Sequence, residues 1–125
     1  MRLSHFVLAA SVLVLAQPIA TTSSLAAECS MAGTLSPFGA NSAGGFAIPA
    51  GRSCLLVLRL PGSITQSSVT QKPAHGTLRR LNVSSYQYSA SKGYKGSDTF
   101  AVTATGTTQF GAAGTSVVTL TATVQ

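Results

Sequence analysis

The sequence predicts an all-β fold, an antiparallel β-sandwich of seven to eight short strands with Greek-key connections. Three observations carry this. Apolar and polar residues alternate with period two along several segments. No stretch downstream of residue 26 sustains a 3.6-residue apolar period built from good helix formers. Gly and Pro punctuate the chain at short intervals, and all 12 glycines lie in that downstream part.

Strands are expected over about residues 31–35, 45–49, 53–60, 64–70, 76–81, 85–89, 98–105 and 115–124. Pro37, Gly39, Gly44-Gly45 and Pro49 break up the first part. Ser53 to Leu60 is apolar on both faces, with Cys54, Leu56, Leu58 and Leu60 on one side and Leu55 and Val57 on the other. That pattern suits a central strand covered on both sides. Thr77 to Leu81 should turn near Asn82 into a short strand on which Tyr86 and Tyr88 share a face. Phe100, Val102 and Ala104 alternate with Thr99, Thr103 and Thr105; Val118, Leu120, Ala122 and Val124 alternate with Thr119, Thr121 and Thr123. Each of these strands has one apolar face and one Thr face, and Thr keeps β-propensity without adding charge. The Gly-rich segment Thr105 to Thr115 is expected to be a mobile loop.

Residues 1–26 read as a signal peptide, leaving residues 27–125 as a single domain. Arg2 is followed by an uncharged apolar run, Phe6 to Ala16, too short for the ~20 residues that span a bilayer. Ser24 and Ala26 favour cleavage after Ala26, and cleavage after Ala27 is the alternative. Glu28 disfavours lipid attachment at Cys29, because that motif wants a small residue before the Cys. No second long apolar stretch follows, so no transmembrane segment is expected after cleavage. The implied address is export, to the periplasm or to the outside and cell surface.

Cys29 and Cys54 form an even pair in an exported chain, which points to a disulfide bond, with two free thiols as the other reading. A closed loop of that size stabilises a small domain by roughly 3 kcal/mol in the chain-entropy model. Zinc would need two more soft ligands, and only His75 remains downstream of the signal.

From Ile64 to Val124 three motifs stand in order: Lys72-Pro73-Ala74-His75-Gly76-Thr77-Leu78, Ser85-Tyr86-Gln87-Tyr88, and Gly93-Tyr94-Lys95-Gly96-Ser97-Asp98-Thr99-Phe100. This segment, about half of the chain, resembles the immunoglobulin-like (cadherin-like, tandem-repeat type) domains of bacterial secreted and surface proteins, here as a single unit. The resemblance implies an immunoglobulin-like sandwich and structural roles for Pro73, Gly76, Tyr94, Gly96, Asp98 and Phe100. Gly76 and Gly96 can take backbone angles that other residues avoid, and Pro73 fixes a bend. Asp98 can accept bonds from amides of the turn entering its strand. Phe100 should drop into the core, and Tyr94 should pack across the sandwich edge with its hydroxyl bonded to a loop.

Charge narrows the function classes. Only 8% of residues are charged, against a usual ~25%, and of these 8 are Lys or Arg and 2 acidic. Glu28 and Asp98 cannot supply the oxygens a calcium site wants, so related arrays' calcium binding is not expected here. His75, Asp98 and a Ser make a triad only on paper, since no G-x-S-x-G elbow is present. Glu28 and Asp98 are also the only pair available for glycoside hydrolysis. No enzyme activity, cofactor or metal is expected.

Lys72, Arg79, Arg80, Lys92 and Lys95 lie close in sequence with no acid among them. A 76–81/85–89 hairpin would gather most of them on one edge or end. They could attract an anionic partner (cell-surface polysaccharide, lipid headgroups or nucleic acid), with another surface protein as a further possible partner, or could simply keep a nearly uncharged β protein soluble and blunt a sheet edge. Nucleic acid is disfavoured by export and by the lack of basic-aromatic interleaving. The expected function is a non-enzymatic exported module in surface or periplasmic interaction, adhesion or structure. The alternative is a pilin-like subunit assembling by strand exchange.

Overall fold

The computed structural model describes residues 9–18, 26–34 and 36–125. Eight strands form two packed sheets: β1 (Ala32–Thr34), β2 (Ser42–Ile48), β3 (Ser53–Val57), β4 (Gly62–Gln71), β5 (Gly76–Asn82), β6 (Ser85–Ala90), β7 (Gly96–Thr108) and β8 (Ala113–Val124). One sheet has the order β1-β2-β8-β7-β4 and the other β3-β6-β5. The chain is therefore an all-β sandwich, and each of the expected strands has its counterpart. The expected signal peptide falls largely on residues outside those described; Ala9 to Ala16 of its apolar run are described and exposed.

Alternation places the core where the pattern requires. Phe100, Val102 and Ala104 of β7 and Val118, Leu120, Ala122 and Val124 of β8 are buried on the inner face. They meet Leu56 of β3 and Tyr86 and Tyr88 of β6 across the sandwich, all within one buried cluster. Phe46 of β2 touches Tyr88 edge to face at 5.5 Å, and Tyr88 stacks on Phe100 at 5.2 Å. Such pairs contribute about 0.5–1.5 kcal/mol beyond their buried area.

Three expectations need correction. Thr105 to Thr115 is no loop: Thr105 pairs Thr115, Gly106 pairs Gly114 and Thr107 pairs Ala113, so β7 and β8 run on to a turn closed by Thr108 and Ala112. Gly106 serves close approach here, since a Cβ on it would strike the Ser63 carbonyl of β4. Ser53 to Leu60 is not a central strand either. β3 stops at Val57 and is the edge of its sheet, although residues 27–29 pair along its outer side through Cys29 N–H to Leu55 O and Leu55 N–H to Ala27 O, both 2.8 Å. Leu58 and Leu60 stay buried beyond the strand's end, which explains the apolar run. Finally, the sheets are not purely antiparallel. β2 runs parallel to β8, from Ser42 opposite Val118 to Ile48 opposite Val124.

Cys29 and Cys54 form a disulfide with Cα atoms 5.0 Å apart, both residues buried. It pins the N-terminal segment to β3. Reduction is expected to lower unfolding free energy by about 3 kcal/mol. Denaturant titration with and without dithiothreitol reads this, and superimposable curves would overturn it.

Candidate functional site

Strand directions put three connections at one end of the sandwich: residues 49–52 after β2, 72–75 after β4 and 91–95 after β6. Backbone bonds tie them together. Gly51 N–H donates to Ala90 O at 3.1 Å, Ala90 N–H to Arg52 O at 2.9 Å, and Ser91 N–H to His75 O at 3.1 Å. Ala50 N–H bonds Gln125 O at 2.9 Å, which ties the end of β8 to the same turn.

Asp98, at the start of β7, fixes this end. Its side chain is buried at 2% exposure. Oδ1 accepts from the amides of Ala74 at 2.9 Å and His75 at 3.1 Å, and Oδ2 accepts from the Tyr88 hydroxyl at 2.6 Å. The sequence suggested amides of Asp98's own turn, but the partners lie 23 and 24 residues upstream. Gly96 takes the left-handed backbone expected of it, but Gly76 does not; its reason is packing, since a Cβ there would meet the Tyr88 hydroxyl at 2.8 Å and Ser89 O at 2.6 Å. Burial first, and the Asp98 carboxylate second, raise the Tyr88 phenol above its ordinary range.

The other motif residues finish the end. Tyr94 donates its hydroxyl to Ser97 O at 2.7 Å, in β7 and not in a loop as expected, and packs over Gly96. The exposed His75 ring lies flat on Tyr94, centroids 3.8 Å apart and planes 4° from parallel. Phe100 is fully buried beneath. His75 approaches Asp98 by its backbone amide, and both Asp98 oxygens are taken by other donors. Pro73 lines a cleft of about 290 Å³ between β4 and β5 with Val69, Lys72, Gly76, Thr77 and Leu78.

The five basic residues do not form one patch. Lys72, Lys92 and Lys95 are exposed on the connections around His75. Lys92 follows Ser91 and lays its stem over Gly51, Lys95 follows Tyr94, and Lys72 is three residues before His75, within roughly 11 Å along the chain. Arg79 and Arg80 are exposed on β5, opposite Gln87 and Tyr86, away from that end. Consecutive strand residues face opposite ways, so these two point to different sides. β5 is a sheet edge, and charge there disfavours pairing with another chain.

Arg52 joins Lys72, Lys92 and Lys95, exposed and tied through Ala90 to the 91–95 connection. It was invisible as a site residue because it stands far upstream of the basic run. The acids leave this end with an excess of cations: Glu28 binds Arg59 at 2.9 Å near the opposite end, and Asp98, buried beneath this end and held by neutral donors, supplies one negative charge against four positive ones. Among the described residues no group of three His, Cys, Asp or Glu could hold a metal, and no helix is long and apolar enough to cross a membrane.

Asp98→Ala is expected to cost about 2–3 kcal/mol of stability, because the buried Tyr88 hydroxyl loses its acceptor at about 1–3 kcal/mol and the part-buried amides of Ala74 and His75 lose theirs at less. A denaturant midpoint unchanged from wild type would refute this. Tyr88 gives a pH signature. Its pKa is raised by folding, so its contribution is complete below the ordinary value near 10 and is lost as pH climbs above it. Wild-type stability should fall above pH ~10 more steeply than that of Tyr88→Phe, by about one proton or ~1.4 kcal/mol per pH unit. Parallel alkaline limbs would contradict the assignment.

No model of a known protein family matches this chain, and no curated protein matches its sequence.

Proposed function

We propose that this chain is an exported, non-enzymatic immunoglobulin-like module acting in cell-surface or periplasmic interaction, adhesion or structure, and that its cationic end engages an anionic partner. One observation carries the reading: Arg52, Lys72, Lys92 and Lys95 share an end of the sandwich that has no exposed side-chain carboxylate. Neighbouring cations within about a Debye length, ~8 Å at physiological salt, add their fields and draw polyanions. The disulfide fits an oxidising compartment and so supports export. The motif run from Lys72 to Phe100, packed here as one unit, supports kinship with the immunoglobulin-like repeats.

The second reading is a pilin-like subunit that completes itself with a neighbour's strand. The exposed outer edge of β4, long and uncharged, is what favours it. Against it, β8 is already paired on both sides by β2 and β7, so the larger sheet lacks no internal strand.

Two measurements separate these. On size-exclusion chromatography the module should run as a monomer, whereas polymers at every concentration would exclude it. On a heparin column, Arg52→Ala/Lys72→Ala/Lys92→Ala/Lys95→Ala should elute at clearly lower salt than wild type. At about 0.5 kcal/mol per exposed ionic contact, four losses amount to roughly thirtyfold in affinity. Arg79→Ala/Arg80→Ala should shift elution less. If the β5 pair shifts elution more than the end variant, the cationic end is not the site.

A further inference from the structure

We infer that the His75–Tyr94 stack is a platform for a sugar ring, so that the anionic partner of the cationic end is an acidic polysaccharide rather than a ring-free polyanion. The inference rests on the cationic end being a binding surface, and adds the chemistry of what it binds.

The geometry sets this pair apart from the other aromatics. Tyr86, Tyr88 and Phe100 are fully buried and Phe38 and Phe46 nearly so, while Phe110, exposed in the β7–β8 turn, lies at the other end of the sandwich away from the lysines. His75 is exposed although it stacks flat on Tyr94. One face of the imidazole is occupied by Tyr94, so its exposure leaves the opposite face available. The pair is braced from beneath: the His75 amide bonds Asp98, its carbonyl takes Ser91 N–H, and the Tyr94 hydroxyl is held by Ser97 O. A ligand that stacks there meets a ring already held in place, which reduces the ordering cost of binding.

A pyranose ring has a face of polarised C–H groups, and an aromatic ring has a negative face. The two are complementary at van der Waals distance without any charge on the sugar. The acid groups of a uronate or sulfated sugar stand at the ring's periphery, and Lys72, Lys92 and Lys95 stand around the stack on the connections that position it. Lysine suits this role as a mobile point charge on a flexible stem. The cleft beside Pro73, with Val69 and Leu78 in its wall and Lys72 at its lining, adjoins the same connection and extends the surface beyond one sugar unit. Polyphosphate would satisfy the lysines equally but has no ring to lay on His75.

The test measures binding of heparin and of polyphosphate of matched charge to purified protein at fixed salt. His75→Ala is expected to weaken heparin about threefold to tenfold, the range for one aromatic contact, and to leave polyphosphate unchanged. His75→Phe keeps a flat ring and should retain heparin affinity, which separates stacking from any charge on the imidazole. Lys92→Ala/Lys95→Ala should weaken both polymers. If the lysine variant weakens both while His75→Ala weakens neither, or weakens both alike, the platform is wrong and the cationic end stands. If the lysine variant changes neither, the cationic end itself is wrong. Circular dichroism of each variant confirms that the sandwich is intact.

Discussion

A single carboxylate organises one end of this molecule. Asp98 is buried, and an uncompensated buried charge costs several kcal/mol, so its position is tolerable only because three donors converge on it. Those donors come from the β4–β5 connection and from the middle of β6, and Asp98 itself opens β7. One strand of the smaller sheet, one of the larger and the connection between the two sheets are thereby joined at a point. The His75 backbone is fixed by that bond, the His75 ring then has a defined seat on Tyr94, and Ser91 is carried along by its bond to His75 O. The exposed His75–Tyr94 surface thus depends on an interaction that is wholly internal.

The scarcity of acids acquires a physical meaning from this. Of two side-chain carboxylates, one is consumed in the interior and the other pairs with Arg59. No exposed side-chain carboxylate is left beside Arg52, Lys72, Lys92 and Lys95. Elsewhere the surface is built from Ser and Thr on the outer faces of β4, β7 and β8, where the hydroxyls bond one another, as Thr99 does with Thr121 and Thr70 with Thr103. With Arg79 and Arg80 as the other unpaired cations among the described residues, on the β5 edge, the field is strongest at this end, and association with the proposed polyanion would be oriented and sensitive to salt.

Much of the fold was legible because it is written in local alternation. β7 and β8 show one apolar and one Thr face in sequence, and the same residues are the buried ones. The disulfide followed from the even cysteine count and the expected export. What local pattern could not convey was pairing at long range. Nothing in Ser42 to Ile48 announces a parallel partner some 76 residues later, and the glycines near Thr105 look like loop residues until β4 is seen pressing on Gly106. Leu58 and Leu60 read as strand because burial and strand share an apolar signature. The site shows the same division. Asp98, Tyr94 and Gly76 could be named from the motif, but the identity of Asp98's donors depends on folding, as does the recruitment of Arg52. The proximity of Arg79 and Arg80 to the lysines in sequence misled, because a strand carries residues away from its turn at about 3.3 Å each.

Amide hydrogen exchange at Ala74 and His75 tests the central claim most directly, because these residues lie in a short surface connection whose amides would otherwise exchange quickly. If Asp98 holds this end as described, both amides should be protected to nearly the level of the β7–β8 core, and the protection should vanish in Asp98→Ala at pH values where the protein remains folded. Exchange at loop rates in the wild-type protein, with the core fully protected, would contradict it.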